Sequence, residues 1–224
     1  MKLILRFLTV FLLVVLMTTC LTQECTAESD IQGVISKAEE GAIDSQYDVG
    51  MMYYLGEGVP QDYKQAVYWY TKAAKNGNAK AQFNLGEMYQ FGDMGPRDNE
   101  QAVYWYTKAA EQGNAAAQFN IGMMYYKGDG VLQDYKKAVN WHTKSAKNGN
   151  AKAQYVLGIM YGAGMGVIRD YSMGYAWLNI AASQGHMKAT ESRRSLSEMM
   201  PPSMIQEAQK LSRELYDEIM SQSK

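Results

Sequence analysis

Ala66-Val67-Tyr68-Trp69-Tyr70-Thr71-Lys72-Ala73-Ala74 returns unchanged at residues 102–110, and in degenerate form at 138–146 and 174–182, each copy 36 residues after the last. Trp69, Trp105, Trp141 and Trp177 hold this register, and so do Gly50, Gly86, Gly122 and Gly158. Asp62, Asp98, Asp134 and Asp170 keep it as well, as do Gly77, Gly113, Gly149 and Gly185. Self-similarity at a period of about 20–50 residues is the mark of a solenoid or related array. Such arrays are binding surfaces far more often than enzymes, so the period already bears on function.

Within one unit, residues 78–113, Ala81, Leu85, Met88 and Tyr89 fall at i, i+4, i+7 and i+8. Ala102, Trp105, Tyr106, Ala109 and Ala110 fall at i, i+3, i+4, i+7 and i+8. Both are one-sided helical stripes, which predicts two antiparallel amphipathic helices per repeat, here named A and B. Between them stand glycine turns, Gly56-Glu57-Gly58, Gly92, Gly128-Asp129-Gly130 and Gly164-Met165-Gly166, able to take positive φ and stop helix A. The recurring aspartate then caps helix B, and Asp62 with Gln65, like Asp98 with Gln101, has capping-box spacing. Gly77, Gly113, Gly149 and Gly185 are candidate C′ glycines for helix B. A glycine inside helix A costs about 1 kcal/mol relative to alanine. Gly50, Gly86, Gly122 and Gly158 are therefore read as close-contact points that admit the bulk of Trp69, Trp105, Trp141 and Trp177.

The first 27 residues have the form of a secretory signal peptide: Lys2 and Arg6, an apolar run of 11 residues from Phe7 to Met17 broken only by Thr9, and a small-residue cut at Thr26-Ala27 with Cys25 three positions before it. The run is too short for a permanent span, which needs about 20 apolar residues. The chain is expected to be periplasmic or secreted, with no integral membrane segment after cleavage. A lipoprotein through Cys20 is the competing reading, against which Met17 and Thr19 stand where a lipobox has Leu and Gly or Ala. Both cysteines precede the cut, so no disulfide is available to the remaining 197 residues. Without Lys2, Arg6 and Glu24 the chain carries 20 basic against 22 acidic residues, a net charge of −2, which argues against nucleic acid or an anionic membrane as partner. The period makes these residues one continuous array.

The pattern Leu85-Gly86-x-Met88-Tyr89, glycine turn, Asp98, Ala102-x-x-Trp105-x-x-Lys108-Ala109-Ala110-x-x-Gly113 resembles the Sel1-like repeat, a relative of the tetratricopeptide repeat. It covers residues 42–77, 78–113, 114–149 and 150–185, with Ala38-Glu39-Glu40-Gly41 in register ahead of them. The second copy displaces its turn glycine to Gly95, and the fourth has Gly174 for alanine and Ile180-Ala181-Ala182 for Lys-Ala-Ala. The resemblance implies an all-α fold, a right-handed α-solenoid with an N-terminal cap helix at 28–41 and capping helices at 186–224. It also implies protein–protein contact. In the tail, Pro201-Pro202 forces a break, after which Met204, Ile205, Ala208, Leu211, Leu215 and Ile219 form a stripe backed by charge, as a terminal cap requires.

Chemistry finds little footing. The Gly-x-Gly elements follow helices, whereas a dinucleotide fingerprint follows a strand. The aspartates stand alone, without the alternating ligands of a calcium loop. His142 occupies the place of Tyr70 and Tyr106 and reads as a packed substitution, and His186 follows Gly185 where Asn78, Asn114 and Asn150 start helices. No catalytic, cofactor-binding or metal residues are assigned, and no cofactor is expected. Relatives described as β-lactamase-like resemble one another in a cysteine pair per repeat, which this chain lacks.

The remaining feature is the part of helix A beside its core stripe. Positions one period apart read Asp48, Met51, Leu55; Asn84, Glu87, Phe91; Asn120, Met123, Lys127; Val156, Ile159, Ala163. In tetratricopeptide-like solenoids helix A lines the concave surface, so the resemblance makes these a candidate partner-binding groove, against the plainer reading of packing between neighbouring A helices. Asn can bond backbone groups and Met adapts its shape, which suits a protein or peptide partner. Three functions follow: a monomeric scaffold, regulator or host-contact factor; an immunity protein against an exported toxic effector; or a cell-wall hydrolase or β-lactam-binding enzyme.

Overall fold

Every repeat helix is 13 residues long, and this constancy is what holds the register. The computed structural model of the chain describes residues 30–222, and the expected signal peptide, with Cys20 and Cys25, lies outside them. After α1 (residues 30–39), the A helices are α2 (Ile43–Leu55), α4 (Ala79–Phe91), α6 (Ala115–Lys127) and α8 (Ala151–Ala163). The B helices are α3 (Tyr63–Lys75), α5 (Asn99–Glu111), α7 (Tyr135–Lys147) and α9 (Tyr171–Ser183), followed by α10 (Met187–Ser197) and α11 (Pro202–Gln222). The helices fall into two compact units, one ending at Asn78 and one starting at Ala79.

Each A helix pairs with its B helix, and the expected stripes face inward: Ala81, Leu85 and Met88 on α4, and Ala102, Trp105, Tyr106, Ala109 and Ala110 on α5, are all buried. The A–B turn works as the glycines imply, with Gly56, Gly128 and Gly164 left-handed at φ 74°, 80° and 73°. The Asp62 carboxylate accepts from the N–H groups of Lys64 and Gln65 at 2.8 and 3.1 Å, and Asp98, Asp134 and Asp170 each cap the third residue on. The return half of a capping box is replaced, because each aspartate N–H donates at 2.9 Å to the carbonyl of Tyr53, Tyr89, Tyr125 or Tyr161 on the preceding A helix. The aspartate thus starts helix B and ties it to helix A.

The glycines inside helix A serve a different neighbour from the one expected. A Cβ on Gly50 would meet the Tyr70 ring at 2.6 Å, on Gly86 the Tyr106 ring at 2.5 Å, on Gly122 the His142 ring at 2.7 Å and on Gly158 the Leu178 side chain at 2.7 Å. The residue admitted is the one after each tryptophan. Adjacent helical positions point about 100° apart. In the first repeat Trp69 accordingly packs with Ala38 and Val49, while in the second the Tyr106 ring joins Ala117 and Ile121 of the following A helix.

Between repeats runs a ladder of buried amides that periodic hydrophobicity does not reveal. Gln46, Gln118 and Gln154, the fourth residues of their A helices, donate to the carbonyls of Ala38, Ala110 and Ala146, eight residues back. Their carbonyl oxygens, and that of Gln82, accept from the side-chain amides of Asn76, Gln112, Asn148 and Gln184, 30 residues on. All four glutamines are buried. Gln118 and Gln154 each fasten their helix to the end of the preceding B helix and to the end of their own.

At the C-terminus α10 takes the place of a fifth A helix. The His186 Nδ1 accepts from the Ala189 N–H at 3.2 Å and the ring stacks on Tyr155, confirming it as a helix-start residue. Pro202 opens α11, where its missing N–H costs nothing. Helix α11 packs on α9, with Ala208 and Ile219 buried, Asn179 donating to Ser212 at 2.8 Å, and Lys147 of α7 bonding Glu218 at 2.7 Å. Among the described residues no helix is long and apolar enough to cross a membrane.

Candidate protein-binding face

The face of helix A away from the stripe is partly occupied by the protein itself. In the first unit Asp48, Met51 and Leu55 of α2 are all exposed. In the second unit Phe91 and Lys127 are exposed, Phe91 to 59%, while Asn84, Glu87, Asn120, Met123, Val156 and Ile159 are half-buried and Ala163 is exposed. Helices α4, α6 and α8 bring these residues onto one side because identical spacing repeats identical orientation. Val156 and Ile159 pack against core clusters, so they floor the face rather than project from it. Asn120 is not a free donor, since its side chain hydrogen-bonds the Tyr106 hydroxyl, which itself donates to Gln90 at 2.8 Å. Packing thus engages Asn120, Val156 and Ile159, while Asp48, Met51, Leu55, Phe91 and Lys127 stay exposed.

Its electrostatics centre on Glu87. Burial holds the Glu87 carboxyl above its ordinary range, and the neighbouring Asp93 charge adds to the rise. Among the described residues it has no cationic partner. Burial also pushes the Tyr106 hydroxyl up, with Glu87 contributing. A half-desolvated carboxylate beside an exposed phenylalanine favours an incoming amide or cation flanked by apolar surface.

The opposite side of the helix pairs is different. Tyr68 and Tyr104 are half exposed and stand edge-on to Trp69 and Trp105, with Lys72 4.5 Å from the Tyr68 ring centre. Lys72 lies 4.6 Å from the Trp69 centre and Lys144 4.3 Å from that of Trp141, so ammonium groups cover the aromatic surface. His142 is wholly buried against Phe119, and neither ring nitrogen has a hydrogen-bond partner. Burial lowers its pKa to about 4. Among the described residues no three His, Cys, Asp or Glu side chains group as metal ligands.

Residues missed by sequence reasoning are Gln46, Gln82, Gln118 and Gln154, although their recurrence every 36 positions was a visible signal.

Known structures place this architecture. The chain is similar to a protective antigen of uropathogenic Escherichia coli with a Sel1-like repeat fold, at 36% identity and TM-score 0.75, over 84% of this chain and 41% of that one. It is also similar to a Sel1 repeat protein of Oxalobacter formigenes, at 35% identity and TM-score 0.70, over 75% of this chain and 49% of that one. The chain thus spans less than half the length of either. An immunity protein of Pseudomonas aeruginosa shows a remoter likeness, at 19% identity and TM-score 0.44 over 87% of this chain and 74% of that one. No curated protein matches. The Sel1 repeat model matches residues 43–78, 79–114, 115–150 and 151–186, which is most of the chain, and the protein belongs to the Sel1 repeat family.

Proposed function

We propose that this is an exported, non-catalytic binding protein that holds a segment of another protein along the A-helix face of α4, α6 and α8. The observation that carries the reading is the pairing, on α4, of a half-buried carboxylate that has no cationic partner among the described residues, Glu87, with the exposed ring of Phe91. A partner amide or cation satisfies the first and apolar contact covers the second. Membership of a family whose repeats serve protein contact supports it. The export half rests on the Lys2-to-Ala27 pattern and is tested by the intact mass of the secreted form, which should begin near Glu28. An acylated Cys20 terminus would replace free export by a lipid anchor. For the binding half, the mature protein captures its partner from exported proteins, and affinity is then measured by calorimetry. Asn84→Ala with Phe91→Ala should weaken it more than tenfold, and Tyr68→Ala with Tyr104→Ala should not. The reverse result moves the partner to the B-helix side and ends the proposal.

A further inference from the structure

Several of the places where the fourth repeat and α10 depart from the second repeat and α6 fall together in space. The Tyr106 ring of the second repeat lies over Gly86, its hydroxyl bound to Gln90 and to Asn120 of the next A helix. Two periods later these residues are Leu178, Gly162 and Ser192, each smaller. In the same step Phe91 becomes Ala163 and Phe119 becomes Glu191. A cavity of about 460 Å³, open to solvent, remains between α8, α9 and α10, lined by Gly162, Leu178, Leu196 and Met199 together with Glu191, Ser192 and Ser195. That volume lies in the range of about 300–1,000 Å³ typical of ligand pockets.

We propose that this cavity is an anchor pocket for one aromatic side chain of the bound protein, a tyrosine or tryptophan whose O–H or N–H reaches Glu191 or Ser192. The inference rests on the binding reading above and names where that binding is anchored. The chain itself shows the occupant, because the equivalent space two repeats earlier holds its own Tyr106 phenol. The apolar floor buries a ring, and desolvated aromatic anchors are what dominate interface energies. The Glu191 carboxylate accepts only, so it selects a ring carrying a donor over phenylalanine or leucine. The pocket adjoins Ile159, itself on the A-helix face, so a segment lying along that face can place a side chain in it.

The probes are N-acetyl-tyrosinamide, N-acetyl-tryptophanamide and N-acetyl-leucinamide, titrated into the mature chain while the backbone amide resonances of Gly162, Ser192 and Ser195 are followed. The aromatic amides should shift these three resonances saturably, at concentrations at least fivefold below any effect of the leucine analogue. Gly162→Gln restores the residue found at Gln90, and Ser195→Met restores at an exposed position the residue found at Met123. Each should abolish the shifts, and a Ser195→Met melting temperature within a few degrees of wild type shows that folding is not the cause. No saturable shift, an equal response to leucinamide, or a response retained in both variants overturns the pocket. Partner affinity separates this from the wider reading. Loss with Asn84→Ala and Phe91→Ala but not with Ser195→Met removes the pocket alone, and loss with neither removes both.

Discussion

His142 makes stability depend on pH in a way that one substitution isolates. The ring is wholly buried with neither nitrogen bonded, and burial lowers its pKa from the ordinary 6.5 to about 4. Between those values the unfolded chain binds a proton that the folded chain refuses, so stability is present at neutral pH and is lost as pH falls. Linkage with these two values gives a loss of about 2 kcal/mol between pH 7 and pH 5, approaching about 3 kcal/mol below pH 4. His142→Phe removes the titration while keeping a ring, and six-membered rings already sit over the equivalent glycines, Tyr70 over Gly50 and Tyr106 over Gly86. It also removes two unpartnered buried nitrogens, worth about 1–3 kcal/mol each when left unsatisfied. The measurement is urea unfolding followed by far-ultraviolet circular dichroism from pH 8 to pH 5. The variant should be at least as stable at pH 7, and its advantage should grow by about 2 kcal/mol by pH 5. Carboxylate titrations cancel in the difference. An advantage that stays constant across this range would refute the claim that a neutral imidazole is locked in the core.

Other outcomes follow from the same packing. Gly86→Ala places a Cβ 2.5 Å from the Tyr106 ring and should cost about 1–3 kcal/mol beyond any gain in helix propensity, whereas Gly162→Ala, whose nearest contact is Leu196 at 3.6 Å, should be neutral or stabilising; equal melting temperatures would contradict the glycine assignment. Gln118→Leu should cost about 1–2 kcal/mol, because it removes the bonds that Gln118 makes to the Ala110 carbonyl and the Asn148 amide while each keeps a bond to Gly113, and faster hydrogen exchange at the α5–α6 junction should accompany it. If exchange rises uniformly instead, the ladder does not fasten neighbouring repeats.

The sequence by itself determined the repeat, its helix pairs and their punctuation. Trp105 and Ala109 fall on one stripe, Asp98 caps, and Gly113 takes a positive φ of 89°, because each effect is local: a helix period, an orphan N–H, a backbone region closed to side chains. Tertiary structure decided which side chain each helix-A glycine admits. The spacing was read as setting Trp105 opposite Gly86, and the packing of α5 on α4 put Tyr106 there instead. It decided also that Asn120 serves Tyr106 rather than solvent, that Val156 and Ile159 floor the face, and that Gln118 bridges residues 110 and 148. The pocket beside Gly162 is the clearest case. Its parts, residues 158 to 199, were each readable as ordinary substitutions in a degenerate repeat. A void exists only where several smaller side chains from three helices meet, and whether neighbours collapse into it depends on close packing in three dimensions, which no one-dimensional period encodes.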